Sequence, residues 1–160
     1  MDSTQGRCVW CYHDATMLDA LPEPRLAFSV PIIGCADYNA LMSVRIEQTF
    51  GPGSTLLPPR YPLSLQQLVA ARDPAAIVFS SAPTNPFYGK KILVLSSGAD
   101  TLVPFSASAS FVDALGKTLG PDGSLRVVIE DGAGHRLTSA AVKEAAAFVA
   151  QTIYAPNSRM

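Results

Sequence analysis

The sequence predicts an α/β domain: a small, mostly parallel sheet flanked by helices. Three observations carry that expectation. Short runs that stay apolar over successive positions recur at Leu26–Ile33, Lys91–Leu95 and Leu125–Ile129. Segments with helically spaced apolar residues alternate with these runs, which is the order that βαβ units produce. The second and third runs each end in a glycine-containing turn that carries one functional group, Asp100 after Gly98-Ala99 and His135 after Gly132-Ala133-Gly134.

Taken in order, Gly6–Ala20 is expected to be helical, and Leu26–Ile33 is the first strand. Pro31 weakens that strand, because proline cannot donate to a sheet ladder and belongs at an edge or a strand end. Asp37 is placed to cap a helix running through Leu41, Val44 and Gln48 to about Phe50. Gly51–Tyr61 is rich in Gly and Pro and is a surface loop. Ser64-Leu65-Gln66-Gln67 has the spacing of a capping box, and Leu65, Leu68 and Val69 follow on one face, with Pro74 just beyond. A second loop, Ser80–Lys90, leads into the strand Lys91–Leu95. Ser106 or Ser108 starts a helix carrying Phe111, Leu115 and Leu119, ended by Gly120. After the strand Leu125–Ile129, the last helix begins near Thr138, carries Val142, Ala145, Val149 and Ile153, and stops at Pro156. The last two strands are apolar on both faces, so helices are expected to cover both.

Composition narrows the function classes. The chain has 160 residues, 48% of them hydrophobic and 16% charged, which suits one domain spanning 1–160 with a substantial core. A net charge of −1 with interspersed signs offers no electrostatic footprint for nucleic acid or an anionic membrane. No run approaches the roughly 18 apolar residues of a membrane-spanning helix. Three cysteines, with no basic-then-apolar leader in Met1–Arg7, point to a reducing, cytoplasmic setting.

Gly98-Ala-Asp100-Thr-Leu-Val-Pro104, Gly132-Ala-Gly-His135 and Pro31-Ile-Ile-Gly-Cys-Ala-Asp-Tyr38 together make the chain similar to the C-terminal half of the α/β-hydrolase superfamily, especially its esterase- and peptidase-like members. The resemblance covers roughly Arg25–Ile153 and implies a partial α/β-hydrolase fold, truncated at its N-terminus. It implies that Asp100 orients the imidazole of His135 and that His135 is the general base of a nucleophilic triad. Laid on the family's Gly-x-Ser-x-Gly elbow, Asp2-Ser3-Thr4-Gln5 puts Ser3 at the nucleophile, with Met1 and Gln5 where the family has glycines. Those glycines permit the strained turn, and the family's second oxyanion donor comes from an earlier strand. Losing one such donor costs about 10²–10³ in turnover. The resemblance therefore implies a serine hydrolase acting on a small ester or peptide-like acyl substrate, weak or inactive as this chain alone, with no metal or organic cofactor.

A second reading, from a different class, is a non-catalytic pseudoenzyme. Three strands leave a sheet edge open, and such an edge binds a partner or forms a homo-oligomer. The parallel strands are expected to lie side by side, with Asp100 and His135 at one carboxyl edge. Other residues have ordinary roles as well as sharp ones. Cys8-x-x-Cys11 with His13 has metal-ligand spacing but no second pair, so packing cysteines and an exposed histidine are expected. Cys35 lines the cleft or is a buried thiol. Trp10, Tyr38 and Phe105 wall a pocket or belong to the core.

Overall fold

A computed structural model describes residues 28–32, 34–55, 57, 61–76 and 85–154. Within them the chain forms β1 (Phe28–Ser29), α1 (Tyr38–Phe50), α2 (Leu63–Arg72), β2 (Lys91–Ser97), α3 (Ala109–Gly116), β3 (Ser124–Glu130) and α4 (Ser139–Tyr154). Short 3-10 turns at Pro74–Ala76 and Phe105–Ala107 lie between them. The expected helix over Gly6–Ala20 lies outside the described residues.

The strands pair in parallel in the order β1-β2-β3. The pairing of β2 with β3 is regular from Lys91 opposite Ser124 to Ser97 opposite Glu130. Both strands run slightly past the apolar runs that announce them. Among the described residues of the first expected strand, the ladder covers Phe28–Ser29, then resumes as an isolated bridge between Ile32 and Leu95. Pro31 sits at that gap. It has no N–H to give, and its carbonyl oxygen instead accepts from the Leu95 N–H at 3.0 Å.

The core has two halves, one on each face of the sheet, because neighbouring residues of β2 point to opposite sides. Ile92 packs with Phe87, Phe111, Val112 and Leu115 on the α3 face. Leu93 and Leu95 pack with Phe28, Val30, Ala145 and Phe148 on the α4 face. Each half contains an edge-to-face aromatic pair, Phe87–Phe111 at 5.9 Å and Phe28–Phe148 at 6.4 Å between ring centroids.

β2 meets the expectation of burial on both faces, and β3 does not. No residue of β3 is fully buried, and Val127 and Ile129 are 37% and 43% exposed. The reason is geometric. β3 is the outer strand of the described sheet, and α3 on its face is only 8 residues long.

Helix ends show where local chemistry overrides simple pattern. Asp37 caps α1 as expected, its Oδ1 accepting from the Ala40 N–H at 2.8 Å. Ser64 does not cap α2. That helix starts two residues earlier than such a cap would place it, at Leu63 behind Pro62, which contributes no side-chain cap. α3 starts behind Ser108, one of its two expected starts, although that residue makes no side-chain cap; the helix ends at Gly116, so Leu119 reaches the core from beyond it. On α4 the buried face is Ala145 and Phe148, supported by Ala141 and Val149, while Val142 and Ile153 are exposed.

Candidate active site

Parallel β2 and β3 end side by side, so the loops that follow them leave the sheet at one carboxyl edge. The Gly98 N–H donates to the Glu130 carbonyl at 3.0 Å, extending the ladder by one bond past β2. Ala99 then turns under a 3.3 Å bond from its N–H to Ser97 Oγ. That turn directs the Asp100 side chain inward, where it is completely buried.

A buried carboxylate must have its lone pairs satisfied, and the next residues do this. The N–H groups of Leu102 and Val103 both donate to Oδ1 of Asp100 at 2.9 Å. Oδ2 is thereby left to face the other loop, and it meets Nδ1 of His135 at 2.8 Å. Pro104 closes the segment as the residue before the 3-10 turn. From outside, the Arg45 guanidinium of α1 donates through Nε and Nη2 to the Leu102 carbonyl at 3.3 and 3.0 Å. The Ser108 hydroxyl accepts from the Ala36 N–H at 3.0 Å, tying the loop between β1 and α1 to the same region.

His135 hangs on a turn that depends on glycine. Gly132 and Gly134 have φ of 74° and 64°, in the left-handed region where a side chain is strained. A Cβ at either would meet nothing within 4 Å, so backbone conformation rather than crowding sets the requirement. Ala133 between them is buried and seats the turn, while the His135 side chain is 36% exposed.

The consequence for chemistry follows from the bond to Asp100. A carboxylate only accepts, so Nδ1 carries the proton and the neutral ring presents its lone pair at Nε2. That is the arrangement of a general base held in one tautomer, with a carboxylate placed to stabilise the imidazolium formed on proton uptake. Of the three expected site residues, Asp100 and His135 are thus brought together. Ser3 lies outside the described residues, as do Cys8, Cys11, His13 and Trp10.

The remaining candidates have structural partners. The Cys35 thiol donates to the Asp37 carbonyl at 3.1 Å, and Asp37 caps α1. Cys35 and Tyr38 border an apolar groove with Leu68 and Val69 of α2. Phe105 packs against the α3 side of the core. Beneath the groove is a carboxylate that the sequence did not single out. Asp73 is buried and accepts from the Tyr38 N–H at 2.7 Å and from the Ala75 N–H at 3.1 Å. Its position just before Pro74 at a helix end was the available signal. The nearby Tyr61 hydroxyl donates to Asn39 Oδ1 at 2.8 Å. Burial raises the Tyr61 pKa above the ordinary 10.0, helped by electrostatic repulsion from the neighbouring Tyr38, Asp73 and Asp37.

This architecture is shared with solved structures. A puromycin-hydrolyzing peptidase of Mycobacterium tuberculosis superposes with a TM-score of 0.53 at 18% identity, over 87% of this chain and 20% of the peptidase. An esterase of Pyrococcus furiosus superposes with a TM-score of 0.51 at 15% identity, over 91% of this chain and 52% of the esterase. The fold is a partial α/β-hydrolase fold. In α/β-hydrolase terms, the chain spans about half of the esterase and a fifth of the peptidase. No family model matches the sequence, and neither does any curated protein. Among the described residues no helix is long and apolar enough to cross a membrane, and no cluster of three metal-ligating side chains occurs.

Proposed function

We propose that this chain carries the acid–base pair of a serine hydrolase for an ester or peptide-like acyl group. Asp100 orients His135, and His135 takes the proton from a serine hydroxyl and returns it to the leaving group. The observation that supports this most is the 2.8 Å contact between His135 Nδ1 and a fully buried Asp100 carboxylate, at the carboxyl ends of adjacent parallel strands. The similarity in fold to a peptidase and an esterase points the same way. Ser3 is the nucleophile we propose, and with Met1 and Gln5 at the elbow's glycine positions we propose slow turnover by this chain alone.

Labelling with a serine-reactive fluorophosphonate tests the proposal on wild type, Ser3→Ala and His135→Ala. Slow labelling of wild type that both substitutions abolish is the expected result. Labelling that persists in His135→Ala would sink the acid–base assignment, and labelling that persists in Ser3→Ala would move the nucleophile elsewhere.

A second reading, self-association through the β3 edge, is favoured by the exposure of Val127 and Ile129 on the outer strand of the described sheet. A second copy can present the same strand about a two-fold axis and continue the sheet.

A further inference from the structure

We infer that Glu130 and Thr138 act together as positioning residues for His135. This rests on reading His135 as the base, and it concerns what holds the ring in place.

Residues 131–137 form the loop between β3 and α4, and most of them are exposed. Two left-handed glycines make the loop easy to bend. Its one internal backbone bond runs from the Arg136 N–H to the Gly134 carbonyl at 2.9 Å. Such a loop does not by itself keep an imidazole within hydrogen-bonding distance of a fixed carboxylate.

The two residues that flank the loop are joined directly to each other. The Thr138 hydroxyl donates to the Glu130 carboxylate, closing the loop at its base. The same hydroxyl accepts from the Ala141 N–H at 3.1 Å and so caps α4. One oxygen therefore ties the end of β3 to the start of the last helix, using its proton in one direction and a lone pair in the other. Glu130 has a matching double role. Its backbone carbonyl accepts from Gly98, at the start of the loop that carries Asp100, while its side chain reaches Thr138. The acid loop and the base loop are thus pinned to the same residue, one through the main chain and one through the side chain. This shared anchor fixes the spacing between Asp100 and His135 in a way that the helix cap alone does not.

The test separates anchoring from capping. The Nδ1 proton of His135, hydrogen-bonded to Asp100, is read by proton NMR as a low-field imidazole resonance assigned by its loss in His135→Ala. Glu130→Ala leaves the hydroxyl of Thr138 to cap α4 but removes the anchor, and Thr138→Val removes both at similar volume. Both variants are expected to speed solvent exchange of that proton by at least about tenfold, the scale of one lost hydrogen bond. Thr138→Ser, which keeps the hydroxyl, is expected to retain the wild-type rate. Near-ultraviolet circular dichroism confirms that each variant is folded. Wild-type exchange in folded Glu130→Ala would overturn the proposal and leave Thr138 as a helix cap only. Absence of a protected resonance in wild type would overturn it as well. The readout needs no nucleophile, so failed fluorophosphonate labelling and failed positioning are separate results.

Discussion

At the scale of single residues, the buried polar groups are arranged in pairs that leave one atom for one task. Asp100 gives Oδ1 to its own loop and Oδ2 to His135. Asp73 gives one oxygen to each of two backbone segments. Tyr61 completes this group, with its ring buried and its hydroxyl bonded to Asn39. Because the folded state raises the Tyr61 pKa, it holds the phenol proton more tightly than the unfolded chain does. The resulting stability is fully present below about pH 10, the unfolded value, and is lost as pH rises through the folded value. Tyr61→Phe should cost about 1 kcal/mol at neutral pH by removing one hydrogen bond. The gap between variant and wild type should narrow above pH 10. Urea unfolding across pH 7–11 checks both parts, and a gap that stays constant or widens would contradict them.

At the scale of elements, α4 shows how far pattern carries and where it stops. The stripe Val142, Ala145, Val149, Ile153 indicated a helix in the right place, yet it marked a face rotated from the one that packs. Phe148 decides the difference. Its large ring has an edge-to-face partner in Phe28 of β1, and burying it outweighs the burial of Val142 or Ile153. Phe148→Ala should cost about 3–5 kcal/mol in urea unfolding, and Ile153→Ala should stay within about 0.5 kcal/mol because that side chain is exposed. Equal losses would mean the helix face is assigned wrongly. The same limit explains the other differences. The sequence announces that Leu125–Ile129 is a strand, but whether a helix covers both its faces depends on the length of α3, which no local pattern in β3 encodes. The Asp100–His135 pair was readable because each residue follows an apolar run and sits in a turn with its own glycines. The Glu130–Thr138 link was not readable, since Glu130 looks like an ordinary strand end and Thr138 like an ordinary cap.

For the whole molecule, the uneven cover of the sheet matters most. β2 is enclosed by α3 and α4, while β3 keeps Val127 and Ile129 exposed at the outer edge of the described sheet. A net charge of −1 provides little general repulsion between copies. Sedimentation should therefore show self-association in the micromolar range, and Ile129→Lys should shift the distribution toward monomer by placing a charge on the edge strand. A wild-type protein that sediments as a monomer throughout that range would count against the β3 edge as a docking surface. On the opposite face, Arg126 is already committed to Glu144 of α4 at 2.6 Å.

The register of β2 against β3 also sets how two distant turns are brought together. Asp100 and His135 are 35 residues apart, and closing a flexible loop of that length costs about 3 kcal/mol of chain entropy. The seven-residue strands that precede them pair in one continuous register, which sets the two turns side by side at the end of the ladder. Asp100 and His135 are thus neighbours by virtue of one supersecondary unit, Lys91 to Tyr154.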